Sequence, residues 1–131
     1  MLTAGAIMSS DLVTVRPEAS IDQAIELLLR EQISGLPVID DDGRLVGLIT
    51  EFALLAVAYD RRVKNHKVSN YMTRELFTVE ADDPVSRVAD LCIVHRVRRV
   101  PVMQDGRLVG VIARRDVLRA LVENPAATCV A

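Results

Sequence analysis

The stretch DGRLVG occurs twice in the chain, at residues 42–47 and again at residues 105–110. Each copy follows a proline within a short apolar run, LPVI in the first case and VPVM in the second. The surroundings repeat as well, since Met8 aligns with Met72 at nearly the same offset. A repeated unit of this length indicates a duplicated fold.

Each copy predicts the element order β-α-β-β-α. An Asp-Gly turn between two apolar runs predicts a β-hairpin, and a helix is expected on either side of it. The predicted first strands are LVTV (12–15) and LFTV (76–79), and the predicted last helices are EFALLAVAYDRR (51–62) and RRDVLRALVE (114–123).

The helix before each hairpin has an apolar face and a marked start. Ser20 and Gln23 have the spacing of a capping box, and Asp83 is expected to cap the second helix with Pro84 at its first position. The apolar faces consist of Ile21, Ala24, Ile25 and Leu28 in the first copy and of Val85, Val88, Ala89 and Cys92 in the second.

A unit of about 60 residues buries little surface by itself. We therefore expect a mixed α/β (α+β) fold in which the two copies pack sheet to sheet about a pseudo-twofold axis, with one cleft per copy. The predicted boundaries are residues 1–59 for the first repeat, 60–70 for a polar linker, 71–123 for the second repeat and 124–131 for a tail.

Composition narrows the possible functions. The net charge of −2 indicates neither nucleic-acid binding nor attraction to a membrane surface. The longest apolar stretch, FALLAVAY at 52–59, is too short to cross a bilayer, and the N-terminus does not resemble a signal peptide. Cys92 and Cys129 fit no metal or redox spacing, so a cytoplasmic protein is expected.

The sequence does not indicate catalysis. It contains no nucleophile–base pair and no glycine-rich phosphate loop. His66 and His95 have no partner at a metal-ligand spacing, and the acidic run at 40–42 is expected to be a hairpin turn. We expect no enzyme activity, no metal and no required cofactor.

The in-register copies resemble a tandem pair of CBS (cystathionine β-synthase) domains, a Bateman module, as found in stand-alone CBS-domain proteins. The residues that carry the resemblance are GLPVIDDDGRLVGLIT (35–50) and RRVPVMQDGRLVGVIARRD (98–116). The resemblance implies a regulatory role with AMP, ADP, ATP or S-adenosylmethionine as ligand, although some family members bind none. Because the sequence contains no effector domain, we expect it to act on an unknown protein partner in trans.

The family's binding motif is divided between the two copies. After the hairpin glycine the family has Thr or Ser, which contacts a phosphate, and three residues later Asp, which binds the ribose hydroxyls. The first copy keeps Thr50 but has Ala53, whereas the second keeps Asp116 but has Ala113. The resemblance therefore implies weaker binding at the first cleft.

The positions of the arginines favour ligand binding at the second cleft. The resemblance implies that the two residues before the Val-Pro pair reach phosphates, and these are Arg98 and Arg99 here. Guanidinium groups bind phosphate oxygens bidentately. The adenine is expected on strand backbone near Val79, Val100 and Val102. The predicted binding residues are Thr50, Val79, Arg98, Arg99, Val100, Pro101, Arg115 and Asp116.

Each of these assignments has an alternative. The arginines equally suit a solvated face or a subunit contact, Asp116 suits a helix N-terminus, and Thr50 suits a capping hydroxyl. The last helix of each copy is apolar on more than one face, which predicts a homodimer. The alternative function is a ligand-free dimerisation scaffold with degenerate clefts.

Overall fold

The computed structural model describes residues 1–60, 62 and 66–125. It confirms the mixed α/β class. The helices are α1 (Ala4–Ile7), α2 (Ile21–Glu31), α3 (Glu51–Tyr59), α4 (Val85–His95) and α5 (Arg114–Glu123). The strands are β1 (Gly35–Ile39), β2 (Leu45–Thr50), β3 (Val79–Glu80), β4 (Arg99–Gln104) and β5 (Arg107–Ala113).

The first compact unit consists of Val13–Leu76. Strands β1 and β2 form an antiparallel hairpin, and α2 and α3 pack with it. The predicted strand at 12–15 contributes one parallel bridge, from Val15 to Val38. The buried core contains Val15, Ile21, Ala24, Leu28, Leu36, Val38, Ile49, Leu54, Val57 and Val68.

The second compact unit consists of Met1–Leu12 and the chain from Phe77 onward. Strand β3 pairs in parallel with β4, which pairs antiparallel with β5. The predicted strand at 76–79 is regular only from Val79. The buried core contains Ala4, Val79, Val85, Val88, Val100, Val102, Ile112, Val117 and Ala120.

The two glycines of DGRLVG have different roles. The first one, Gly43 or Gly106, has φ near 77° or 78°, which glycine adopts without strain at a hairpin turn. The last one, Gly47 or Gly110, lies against a methionine, so that an added Cβ would collide with the side chain of Met72 or Met8, respectively. The repeated hexapeptide thus encodes both a turn and a methionine contact.

The compact units have different boundaries from the repeats read along the sequence. The N-terminal residues pack with the second copy, where the N–H of Ala4 donates a 2.8 Å hydrogen bond to the carbonyl of Asp83. Part of the predicted 60–70 linker belongs to the first unit, because Val68 is fully buried and its N–H donates to the carbonyl of Ala19. Of the predicted tail, residues 126–131 lie outside the described residues.

The capping box of Ser20 and Gln23 is confirmed at the start of α2. The predicted start of α4 was wrong by one residue. Pro84, rather than Asp83, is the N-cap, and its backbone is extended. The Asp83 carboxylate instead accepts a hydrogen bond from the N–H of Glu80, so it stabilises the turn before the helix.

Candidate functional site: the hairpin end beside α5

The open end of the second hairpin brings the predicted arginines next to the start of α5. Arg99 lies opposite Ala113 in the antiparallel pair. The N–H of Arg114 donates a 2.9 Å hydrogen bond to the carbonyl of Arg98. Because of this register, Arg98 and Arg99 lie beside the chain segment that carries Arg115 and Asp116.

The first unit has the same backbone arrangement without the charge. Gly35 lies opposite Thr50, and the N–H of Glu51 donates a 2.9 Å hydrogen bond to the carbonyl of Ser34. Ser34 and Gly35 therefore occupy the positions that Arg98 and Arg99 occupy in the second unit. The two hairpin ends share a geometry but differ in electrostatics.

The helices that follow the hairpins begin differently. Thr50 is the N-cap of α3, and its hydroxyl accepts a 3.3 Å hydrogen bond from the N–H of Ala53. Ala113 is the N-cap of α5 and has no side-chain oxygen. There Asp116 reaches back and accepts a 3.2 Å hydrogen bond from the N–H of Ala113. Each helix thus keeps one half of a capping box.

Asp116 remains accessible to a ligand. Its side chain is 32% exposed, and one carboxylate oxygen lies 3.5 Å from a guanidinium nitrogen of Arg119. A carboxylate has about four acceptor positions, so these two contacts leave capacity for further hydrogen bonds.

The predicted apolar contacts lie within the sheet. Val79 pairs with Val102 across the β3–β4 ladder, and the side chains of Val79 and Val100 belong to the core of the second unit. Pro101 is also buried. The side chains of these residues therefore offer no exposed surface to a ligand.

The arginines differ in their surroundings. Arg98 and Arg115 are exposed, whereas Arg99 is half-buried in β4. Arg107 opens β5 next to the hairpin turn, at the other end of the strand from Ala113. Arg107 therefore does not belong to the group beside α5.

The Cys92 thiol lies partly buried against the core of the second unit. Burial raises the pKa of Cys92, and the positive charge of Arg114 opposes that rise. A raised pKa keeps the thiol protonated and unreactive at neutral pH, which agrees with the predicted core position.

One surface feature was not predicted from the sequence. An open groove of about 580 Å³ lies in the first unit, between residues 14–19 and α2. It is lined by Thr14, Val15, Arg16, Glu18, Ala19, Gln23, Glu26, Leu27 and Arg30. None of the predicted binding residues lines this groove. Its polar and apolar side chains form no sequence motif from which the groove could have been predicted.

Within residues 1–60, 62 and 66–125, no group of three His, Cys, Asp or Glu side chains is arranged to hold a metal ion. In the same part of the chain no helix is both long and apolar enough to cross a membrane.

The fold and the repeated hairpin ends match the CBS domain, whose family model covers residues 4–60 and 68–123. The chain therefore belongs to the CBS domain family, and it contains two tandem CBS repeats. This confirms the resemblance seen in the sequence.

The chain is also similar to individual curated proteins. Protein MJ1225 of Methanocaldococcus jannaschii is 32% identical over 115 residues, which represent 88% of this chain and 41% of that protein. The chain thus spans about two fifths of that curated relative.

Two solved structures of CBS pairs are also similar. CBSX2 of Arabidopsis thaliana, solved in complex with AMP, is 32% identical with a TM-score of 0.85, and the match covers 95% of this chain and 99% of that one. The CBS domain pair of protein MJ0100, solved with 5′-methylthioadenosine and S-adenosylmethionine, is 28% identical with a TM-score of 0.83 and coverage of 95% and 98%.

Proposed function

We propose that this chain is a regulatory module that binds an adenosine-type ligand, AMP, ADP, ATP or S-adenosylmethionine, at the hairpin end beside α5. The observation that carries the proposal is the juxtaposition of Arg98 and Arg99 with the start of α5. The similarity to CBS pairs solved with AMP and with S-adenosylmethionine supports the ligand class.

The missing cap of α5 suits a phosphate. In α3 the Thr50 hydroxyl accepts the N–H three residues later, but Ala113 offers no such oxygen to the N–H of Asp116. Free N–H groups in the first turn of a helix attract anions, and guanidinium groups add bidentate donors. A phosphate oxygen would take the place of the absent hydroxyl, with Arg98 and Arg99 alongside.

The ribose is assigned to Asp116. The two oxygens of a carboxylate suit the neighbouring hydroxyls of a ribose. The adenine would lie on the backbone near Val79, Val100 and Val102, whose side chains belong to the core of the second unit. Arg115 completes the predicted set. No cofactor is required in this account.

Ligand occupancy is expected at one site per chain. In the first unit Thr50 already caps its own helix, Ala53 cannot bind a ribose, and Ser34 and Gly35 carry no charge. Apart from the Thr50 hydroxyl, which already caps α3, the first-unit counterpart therefore lacks the groups that would hold a nucleotide.

The role is regulatory rather than catalytic, and it is exerted on a protein partner in trans, in the cytoplasm.

We also propose a homodimer, because both last helices expose large apolar side chains. Phe52 and Tyr59 on α3 are 83% and 94% exposed, and Leu118 and Val122 on α5 are 64% and 71% exposed. Exposed apolar clusters of this kind mark interfaces.

A second candidate function is a ligand-free dimerisation scaffold. The observation in its favour is that Asp116 already contacts the N–H of Ala113 and the guanidinium of Arg119, so that it has partners without a ligand.

A thermal-shift series with AMP, ADP, ATP and S-adenosylmethionine separates the two candidates. A ligand at 100 times its dissociation constant stabilises the folded state by about 2.7 kcal/mol. The sensing function predicts a rise in melting temperature with at least one of the four compounds, and the scaffold predicts none. CMP at the same concentration controls for nonspecific phosphate binding.

A further inference from the structure

The segment around Val15 forms the free edge of the sheet in the first unit. Strand β1 pairs with β2 on one side and with Val15 on the other. The N–H of Val15 donates to the carbonyl of Pro37, and its carbonyl accepts from the N–H of Ile39. In a strand the backbone groups of the neighbouring residues point to the opposite side. The N–H and carbonyl of Thr14 and the N–H of Arg16 therefore point away from β1.

These outward groups lack partners in the folded chain. Among the residues that the structure describes, none hydrogen-bonds to the N–H or carbonyl of Thr14 or to the N–H of Arg16. Unpaired groups at a sheet edge are a site where another strand can add. Thr14, Val15 and Arg16 also line the open groove of the first unit, so the free edge forms one side of that groove.

Helix α2 forms the other side of the groove. Val15 pairs in parallel with Val38, and α2 lies between them in the chain, so the helix runs back antiparallel to the edge. Gln23, Leu27 and Arg30 follow one another at about one-turn intervals along its flank and line the groove. An extended chain in the groove would therefore have the sheet edge on one side and half-buried Leu27 on the other.

The corresponding edge of the second unit is closed. The repeat aligns Glu80 with Arg16 and Asp83 with Ala19. The N–H of Glu80 donates a 2.8 Å hydrogen bond to the Asp83 carboxylate, whereas Ala19 has no side-chain oxygen. Of the two units, within the residues that the structure describes, only the first leaves this edge N–H without a partner.

The charges of the groove favour a basic occupant. Glu18 and Glu26 line it and are exposed. Arg16 forms an ion pair with Asp41, which offsets its charge. The remaining cation is Arg30, in the last turn of α2. Two carboxylates therefore face an occupant along most of the groove, and complementary charge steers a partner to such a surface.

We propose that this groove binds an extended peptide segment of a partner protein, in which basic side chains alternate with apolar ones. The segment adds to the sheet as a strand along residues 14–16, and its basic side chains contact Glu18 and Glu26. The groove shares no residue with the hairpin end beside α5, so the proposal stands independently of nucleotide binding.

Fluorescence anisotropy with a defined probe tests the binding mode. The probe is a fluorescein-labelled octapeptide of alternating lysine and valine, and its control has the same sequence with every backbone amide methylated. Loss of backbone hydrogen bonds at unchanged charge predicts that the control binds about fivefold more weakly or worse. Equal binding of the two peptides, tighter binding of an alternating glutamate–valine peptide, or no binding of the probe up to millimolar concentration would overturn the proposal.

A charge-reversal pair locates the probe on the chain. Glu26→Lys lies in the groove, and Glu31→Lys makes the same change at an exposed position of α2 that does not line the groove. We expect Glu26→Lys to weaken probe binding by about threefold or more and Glu31→Lys to have a smaller effect. An equal loss in both variants would show that the net charge alone attracts the peptide and would overturn the groove as its site.

Ala19→Asp tests the free edge by copying the closed edge of the second unit. The new carboxylate is placed to accept from the N–H of Arg16, as Asp83 accepts from Glu80. We expect the probe to bind about fivefold more weakly, although the variant is more negative. The melting temperature of the variant reports whether it folds. Unchanged or tighter binding by the folded variant would overturn strand addition.

Amide hydrogen exchange of the wild-type chain gives a readout that needs no substitution. The N–H groups of Thr14 and Arg16 should exchange quickly in the free chain and slow down when the probe is bound. Slow exchange of both groups before the probe is added would mean that the edge is already paired, as in a contact with a second copy, and would overturn the proposal.

Discussion

The carboxylate of Asp116 accepts a hydrogen bond from the backbone N–H of Ala113, at the start of α5. The contact is the complement of the one at the start of α3, where the Thr50 hydroxyl accepts from the N–H of Ala53. The positions for which the resemblance implies phosphate and ribose contacts are therefore also the two halves of a capping box, and each repeat has kept one half.

Exchanging the N-cap residues is expected to change stability in opposite directions. Thr50→Ala removes the hydroxyl cap of α3 and should lower the free energy of unfolding by about 1 kcal/mol, whereas Ala113→Thr supplies one to α5 and should raise it by a similar amount. Urea unfolding of both variants measures the effect. If the free energy of unfolding changes in the same direction in both variants, capping does not govern these positions.

Methionine contacts should make the last glycine of each DGRLVG intolerant of a side chain. A Cβ on Gly47 would lie 2.5 Å from the Met72 sulfur and 3.0 Å from the Thr73 carbonyl oxygen. Overpacking of this kind costs about 1–3 kcal/mol. Gly47→Ala is expected to lower the melting temperature. The double variant Gly47→Ala/Met72→Ala is expected to lose less stability than the sum of the losses in the two single variants. If the double variant is no more stable than the sum of the single effects, the contact is not the cause.

Alkaline pH should reveal the burial of Cys92. Its pKa is raised in the folded state, so the stability that the protonated thiol contributes is fully present below its unfolded pKa and is lost as pH rises from that value through the folded pKa. The free energy of unfolding of wild type relative to Cys92→Ser should therefore fall above about pH 9. A difference that stays constant from pH 7 to 10 would contradict the buried thiol.

Sugar and phosphate recognition should be separable by mutation. Asp116→Ala should weaken AMP and adenosine alike by about tenfold, because a hydrogen bond to a charged group contributes about 1.5–3 kcal/mol. Arg99→Ala should weaken AMP but leave adenosine nearly unchanged, with Arg99→Lys recovering only part of the loss. Arg107→Ala is a matched control, since it removes the same charge at the other end of β5. An equal loss of AMP binding in that control would indicate general electrostatics instead.

The hairpins and the long helices could be predicted because their signals are local. Asp105 and Gly106 form the expected turn with positive φ at both positions, and Ser20 and Gln23 form the expected capping box. The first strand predicted in each repeat was too long, because only the end of the apolar run pairs with another strand.

The local sequence pattern could not predict that the N-terminal residues pack with the second repeat or that part of the linker packs with the first. Nothing in the residues around Ala4 or Val68 shows which repeat they will pack against, since that depends on long-range contacts. Likewise the sequence indicated the half-motifs, but the hydrogen bond between Asp116 and Ala113 follows only from the backbone geometry at the start of α5.

Isothermal titration calorimetry of AMP into the wild-type chain, Thr50→Ala and Asp116→Ala tests whether adenosine-type ligands bind at the hairpin end beside α5. We expect one site per chain in the wild type, the same site in Thr50→Ala, and binding about tenfold weaker or more in Asp116→Ala. Should AMP not bind, titrations with ATP, adenosine and S-adenosylmethionine extend the test to the proposed ligand class. Two equivalent sites per chain would contradict the unequal units, and no binding of any of these compounds at millimolar concentration would contradict adenosine sensing itself and favour the scaffold.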